Sequence, residues 1–185
     1  VVNAIKDRLP VYTLTFAYPA EMRQRKQTLG VRIDHGDVVK VCVPTYKPKS
    51  YSMSAERADE GEFDITVKVY PNGRASGYLN SVMIGDKISV FKHPACNKRR
   101  NAGSHVGLIA YGVGITEALP VAAAELSKPE AESVVLLWAS RTDGDTFWLE
   151  QIEALRNQHG RRFDSVHIFS RDNQPGALHG RVDSG

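Results

Sequence analysis

The hydrophobic pattern changes its period near residue 105, and this change constrains the fold more than any other feature of the chain. Before it, apolar and polar residues alternate in short runs: PVYTLTFAY (10–18), GDVVKVCVP (36–44), KSYSMSAE (49–56), EFDITVKVY (62–70) and GDKISVFKH (85–93). Such runs, fenced by Gly, Pro, Asp or Asn, are the pattern of half-buried antiparallel strands, and their spacing predicts a barrel or sandwich. ASGYLNSVM (75–83) is the one short helix candidate, with Leu79 and Val82 on one side. HPACNKRRNAGS (93–104) has no periodicity and reads as a linker. Beyond it, HVGLIAY (105–111), SVVLLWAS (133–140) and FDSVHIFS (163–170) read as strands, the first two as runs buried on both faces. TEALPVAAAELS (116–127) and DTFWLEQIEALRNQHG (145–160) lie between them. The second has Phe147, Trp148, Ile152 and Leu155 near helical spacing and Gly160 as a stop. Strand, helix, strand, helix, strand is a βαβαβ unit with a parallel sheet. The sequence therefore predicts two domains, 1–104 and 105–185, β-rich and then α/β. Three strands make half of a doubly wound sheet. Its first strand would lie at an edge while reading as buried, so further chain or another surface is expected to cover it.

Composition narrows the function classes. The formal net charge of +3 is a mild excess and does not mark a nucleic-acid binder. No run approaches the about 18 apolar residues a membrane span needs. The two cysteines, Cys42 and Cys96, lack the close spacing of a zinc site or a disulfide framework. They fit a reducing interior, so the expected location is intracellular, cytoplasmic or organellar. The six histidines are scattered, and no metal site is expected. The first residue is Val1 rather than Met, which leaves open whether a targeting segment was removed.

Three stretches have the residue types of an anion or nucleotide site. In GLIAYGVGITEALP (107–120), Gly112 and Gly114 stand between a strand and a helix. Unpaired N–H groups and the helix dipole favour phosphate there. Glu117 stands where a dinucleotide fingerprint has its third glycine. A packing role for both glycines, with Thr116 as helix cap, is equally compatible with the residues. In YPNGRASGYLNS (70–81), a Pro-Asn-Gly turn hands over to a helix start carrying Arg74 and Ser76. In KPKSYSMS (47–54), Lys49, Tyr51 and Ser52 follow one another on a strand. Tyr51 suits a flat ring, Ser52 a ring heteroatom and Lys49 a phosphate; a sheet-edge strand carrying a solvated lysine is also compatible with these residues.

The order of these stretches, KSYS, VKVYPNGRASGYL, GDKISVFKHP and VGLIAYGVGIT, resembles the flavin reductases of the ferredoxin–NADP reductase and cytochrome b5 reductase superfamily. The resemblance runs from the opening β segment to HGRV at 179–182. It implies an antiparallel six-stranded flavin-binding barrel followed by an incomplete doubly wound parallel-sheet nucleotide-binding domain. It also implies FAD and either NADPH or NADH as cofactors. The family's arginine–x–tyrosine–serine motif falls on Lys49, Tyr51 and Ser52, with lysine replacing arginine. Its lysine–x–tyrosine falls on Lys68 and Tyr70, and its pyrophosphate turn on Gly73, Arg74, Ala75 and Ser76. Its glycine–threonine–glycine–isoleucine–threonine–proline turn falls on Gly112, Gly114 and Thr116. There Val113 replaces threonine, Glu117 replaces proline and, just before the turn, Tyr111 replaces glycine. Ser140 and Arg141 fall on a nucleotide-contacting strand end. Ser170 and Arg171 fall on the pair that members selective for NADPH place against a 2′-phosphate.

The resemblance further implies hydride transfer from NAD(P)H to flavin and then to a carrier protein or small acceptor, with Ser52 as the catalytic residue near flavin N5. A haem or iron–sulfur electron carrier is the implied partner; neither nucleic acid nor a membrane span is implied. The basic run Lys98, Arg99 and Arg100 reads either as a patch that steers an acidic carrier or, as charge runs more often do, as a solvated loop. The family's cysteine–glycine motif is not met before Gly185, so the chain is expected to be a fragment or a divergent member. The alternative function is a flavin- or nucleotide-binding module without turnover, acting in assembly or sensing.

Overall fold

A computed structural model describes residues 3–8, 11–29, 38–57, 60–93, 103–173 and 175–182. The chain divides into two compact units, Val1–Lys98 and Arg99–Gly185. Cys96 and the basic run Lys98, Arg99 and Arg100 lie outside the described residues.

The first unit is a six-stranded antiparallel sheet. Its strands are β1 (Asn3–Arg8), β2 (Val11–Ala17), β3 (Val38–Val41), β4 (Lys49–Arg57), β5 (Glu62–Lys68) and β6 (Val90–His93). They pair in the order β1-β2-β5-β4-β3-β6. Five answer to the five alternating runs, and β1 adds a sixth at the edge. Alternation sets which side of each strand is buried. Leu14 and Phe16 of β2, Val39 and Val41 of β3, and Phe63, Ile65 and Val67 of β5 are all nearly inaccessible. Helix α2 (Arg74–Ser81) closes this core by burying Ala75 and Leu79. Helix α1 (Ala20–Leu29) is not anticipated by the hydrophobic pattern, because Met22 and Leu29 are its only large apolar residues.

The second unit is a parallel sheet of order β10-β9-β8-β7. Its strands are β7 (His105–Tyr111), β8 (Ser133–Ser140), β9 (Phe163–Phe169) and the two-residue β10 (Leu178–His179). Helices α3 (Ile115–Leu126) and α4 (Leu149–His159) form the crossovers and pack on one face. There they bury Ala110, Val134, Leu136 and Trp138. The other face is different: Ile109 is 60% exposed, Tyr111 58% and Leu178 58%. The expectation that β7 is buried on both faces is therefore corrected. It is an edge strand whose alternate side chains are exposed, because the crossovers supply helices to one side only. Phe147 and Trp148, expected inside the second helix, precede it. Trp148 is the residue before α4 and takes a left-handed conformation with φ 61°. Gly160 ends α4 with φ 56°, a conformation that suits glycine.

The helix-facing side of this sheet holds a ring stack. His167 lies 4.3 Å from Trp138 and 5.1 Å from Phe169, measured between ring centroids. Its Nε2 is buried without a hydrogen-bond partner. Burial lowers the His167 pKa below 6.5, and the nearby Asp143 carboxylate opposes that shift in part. The unfolded chain thus takes up this proton before the folded one does. The stabilisation is full above the unfolded value and is lost as pH falls through the lowered folded value. The expected outcome is a melting temperature for the second unit that drops between about pH 7.5 and about pH 5, with a smaller drop in His167→Phe. Calorimetry of both proteins across that range is the check, and equal slopes would remove His167 as the cause.

Candidate functional site

Each unit has a glycine-containing strand–turn–helix junction, β5 to α2 in the first and β7 to α3 in the second, and the two are described separately. In the first unit, Pro71 and Asn72 are the central residues of a turn closed by the Gly73 N–H donating to the Tyr70 carbonyl at 2.9 Å. Asn72 has φ 61°, as the second central residue of a type II turn requires. The turn leaves no room for a side chain at Gly73, where an added Cβ would sit 2.3 Å from Ser76 Oγ. The Ser76 hydroxyl accepts from the Tyr70 N–H at 3.2 Å and donates to the Gly73 carbonyl at 3.4 Å. It is 6% exposed, so its hydroxyl serves the turn, and the backbone is what it offers outward. Ala75 is buried and also offers only backbone. No side chain caps α2, which leaves first-turn N–H groups to an outside acceptor at the positive end of the helix dipole.

Two cations stand by this turn. Arg74 Cζ lies 5.2 Å and Lys49 Nζ 5.7 Å from the centroid of the Tyr46 ring. The β3–β4 register pairs Val41 with Lys49 and Val39 with Tyr51, so Lys49 and Tyr51 share the face of those buried valines. Ser52 pairs with Val38 and projects from the opposite face of the strand. Tyr51 packs against the core. Burial pushes its phenol up in pKa, and the neighbouring Tyr70 phenol adds to the shift. Tyr70 is 51% exposed, and Lys68 ends β5 two residues earlier, half-buried. Tyr12 has a buried hydroxyl without a hydrogen-bond partner and a phenol raised in pKa, by burial first and then by Tyr51. A bare backbone turn, an uncapped helix start, two cations and an unspent buried phenol fit a flavin nucleotide carrying a diphosphate.

In the second unit, β7 runs into a 3-10 turn, Gly112–Gly114, that continues into α3. Gly112 has φ 50°, and a Cβ there would meet nothing within 4 Å. A Cβ at Gly114 would only reach the Ala110 Cβ at 4.0 Å. Tight packing therefore does not explain either glycine: Gly112 supplies a backbone conformation, and both leave open space beside the turn. Thr116 is not the helix cap. Gly114 occupies that position without a side-chain hydrogen bond, and the buried Thr116 hydroxyl donates to the Val113 carbonyl at 2.8 Å. Parallel pairing carries the ends of β8 and β9 to the same edge of the sheet, the edge where ligands bind in open α/β folds. There the Ser170 N–H donates to the Ser140 carbonyl and the Arg171 N–H to the Arg141 carbonyl, at 3.0 and 2.9 Å. The structure thus brings Ser140, Arg141, Ser170 and Arg171 side by side. Ser140 Oγ is buried and unpartnered. Arg141 is held by Asp145 at 3.3 Å, while Arg171 is exposed.

Sequence reasoning missed two residues. Trp138 Nε1 donates to the Gly112 carbonyl at 2.9 Å and so ties the turn to β8. The signal was a tryptophan in an apolar strand, whose N–H needs an acceptor when buried. Tyr46 gathers Lys49 and Arg74, and only its proximity to KPKS in the sequence pointed to it.

Comparison with known proteins agrees with this layout. Residues 11–97 match the oxidoreductase FAD-binding domain and residues 108–184 the oxidoreductase NAD-binding domain. NADH-cytochrome b5 reductase 2 of Aspergillus niger is 32% identical over 130 residues, covering 69% of this chain and 39% of that protein. The plasma membrane-associated coenzyme Q6 reductase PGA3 of Saccharomyces cerevisiae is 25% identical over 159 residues, covering 84% of this chain and 51% of that protein. The chain therefore spans about half or less of the length of these relatives. Among solved structures, the cytochrome b5 reductase domain of Ulva prolifera nitrate reductase superposes with a TM-score of 0.78 at 21% identity, covering 98% of this chain and 77% of that one. A ferredoxin NADP+ reductase from Neisseria gonorrhoeae, with bound FAD and NADP, superposes with a TM-score of 0.72 at 15% identity, covering 98% and 71%. At those identities the shared property is the fold.

The tightest steric constraint in either junction is at Gly73. Gly73→Ala is expected to destabilise the first unit by about 1–3 kcal/mol through overpacking against Ser76. Adding Ser76→Ala removes the atom that the new methyl strikes, so the double variant is expected to be less destabilised than the sum of the two single variants. Denaturant unfolding of the four proteins is the check.

Proposed function

Since the chain belongs to the ferredoxin–NADP reductase and cytochrome b5 reductase superfamily of FAD- and NAD-binding oxidoreductases, we propose that it binds FAD in its first unit and a nicotinamide dinucleotide in its second, as part of a flavin-dependent NAD(P)H reductase. The observation that carries this reading is the presence, in each matched domain, of a turn that leads into a helix with no side-chain cap. Such a helix start takes an anion without further machinery. FAD would supply the redox chemistry, accepting hydride from the dinucleotide and passing electrons on.

The residues of the first unit bind and orient. The α2 amides of Arg74, Ala75 and Ser76, with the Lys49 and Arg74 side chains, hold the diphosphate. Tyr51 and Tyr70, whose phenols are neighbours, offer ring faces and hydroxyl donors to the flavin moiety, and Lys68 supports that end of β5. Ser52 is proposed as the hydrogen-bonding residue near flavin N5. In the second unit, the amides of the Gly112–Gly114 turn receive the dinucleotide phosphates. Thr116 keeps the turn closed from inside. Ser140 presents its unspent hydroxyl, and Arg141 is positioned by Asp145.

Ser170 and Arg171 offer a hydroxyl and a guanidinium, the pair that suits a 2′-phosphate. This favours NADPH, whereas the names of the curated relatives favour NADH. Those names also support a haem protein as electron acceptor, specifically a cytochrome b5. Among the described residues no helix is long and apolar enough to cross a membrane. A second reading, flavin binding without turnover, draws support from Glu117 in the first turn of α3, where a carboxylate opposes a bound dinucleotide phosphate.

The test is direct. The purified chain is expected to take up FAD and show the flavin visible band. NADPH and NADH are then titrated against the parent and Arg171→Ala by equilibrium binding. Loss of one charge-assisted contact is expected to weaken NADPH about tenfold and NADH by less than about twofold. A chain that takes up no FAD overturns the reading. Equal effects on both dinucleotides overturn the 2′-phosphate role of Arg171.

A further inference from the structure

We propose that Tyr46 is a positioning residue for the diphosphate of the flavin nucleotide, holding Lys49 and Arg74 over its ring so that the two cations act together; this rests on the FAD reading above. The two cations come from different elements, Lys49 from the start of β4 and Arg74 from the first position of α2. Both approach the same aromatic ring, at 5.7 and 5.2 Å from its centroid. Among the described residues no carboxylate is paired with either side chain. Two cations gathered at one ring concentrate positive charge there; the negative face of an aromatic ring stabilises part of it, and a bound anion stabilises the rest.

The ring itself is fixed from below. Tyr46 packs against the buried core of the first unit. Its N–H donates to the Val43 carbonyl at 3.2 Å, closing the turn 43–46. Within that turn Thr45 has φ 57°, a left-handed conformation that a β-branched residue adopts only under strain. Strain of this kind persists where surrounding structure enforces it, and binding sites are where it concentrates. Here it sets the direction of the very next side chain, Tyr46.

The arrangement also gives a physical role to the lysine at position 49. An arginine carries a planar fork that is pre-organised for phosphate, whereas a lysine is a point charge on a flexible stem. A ring beneath the ammonium restricts that stem. Tyr46 then does for Lys49 what the guanidinium plane does within an arginine.

The experiment measures dissociation constants for FAD and for riboflavin, which lacks phosphates, on the full chain at low and high salt. Tyr46→Phe keeps the ring and is expected to stay within about twofold of the parent. Tyr46→Leu keeps bulk but removes the ring. It is expected to weaken FAD about tenfold, to flatten the salt dependence and to leave riboflavin unchanged. Adding Lys49→Arg to Tyr46→Leu is expected to recover FAD affinity to within about threefold of the parent, a rescue that a packing role for Tyr46 would not give. Equal FAD affinity in Tyr46→Leu and the parent overturns the proposal while leaving the flavin reading in place. So does a loss shared by FAD and riboflavin and not rescued by Lys49→Arg. Absence of FAD binding by the parent overturns both.

Discussion

A helix that starts without a side-chain cap leaves its first backbone N–H groups to other acceptors, and each unit of this chain places such a start directly after a strand and a glycine-containing turn, at α2 and at α3. At α2 the Tyr70–Gly73 turn delivers the chain at a fixed angle, and Ser76 locks it from inside. At α3 the 3-10 turn does the same, with Thr116 bonded back to Val113 and the Trp138 indole bonded to Gly112. In both places the side-chain hydroxyl nearest the helix start is turned inward. Polar side chains that could have satisfied the amides are used instead to shape the backbone that presents them.

This inversion shows what sequence patterns convey and what they leave out. Alternation over 10–18 and 62–70 placed β2 and β5 within two residues of their ends, because a one-residue slip would turn Leu14 or Ile65 to the wrong face. Helix α2 was legible from Leu79 and Val82, three residues apart; Leu79 is buried, while Val82 is the residue just past the helix end. Helix α1 was not, since AEMRQRKQTL has no apolar face and its placement depends on tertiary context. The same limit applies to β7. HVGLIAY reads as buried throughout, yet topology, which periodicity does not encode, puts helices on one side of it.

The glycine turn at 112–114 was ambiguous as a string of letters, and geometry decides between its two meanings. Open space beside both glycines leaves backbone conformation and ligand approach as their roles. The resemblance carried motif positions onto residues but not directions. Ser76 and Thr116 occupy motif positions with their hydroxyls spent, and Ser52 leaves its strand on the face opposite Tyr51. Tyr46, which no motif includes, is the ring that two motif cations share. A motif names the residues near a ligand, and the hydrogen bonds decide which atoms remain free for it.

The aromatic residues are divided between the units. Both tryptophans, Trp138 and Trp148, lie in the second unit, and every tyrosine except Tyr111 lies in the first. Intrinsic emission excited at the red edge of the protein band therefore comes from the second unit alone. Trp138 is 1% exposed and hydrogen-bonded to the turn through its indole N–H, so loss of that bond shifts its share of the emission. The chain carries a built-in optical probe at the residue that anchors its glycine turn, with no label required.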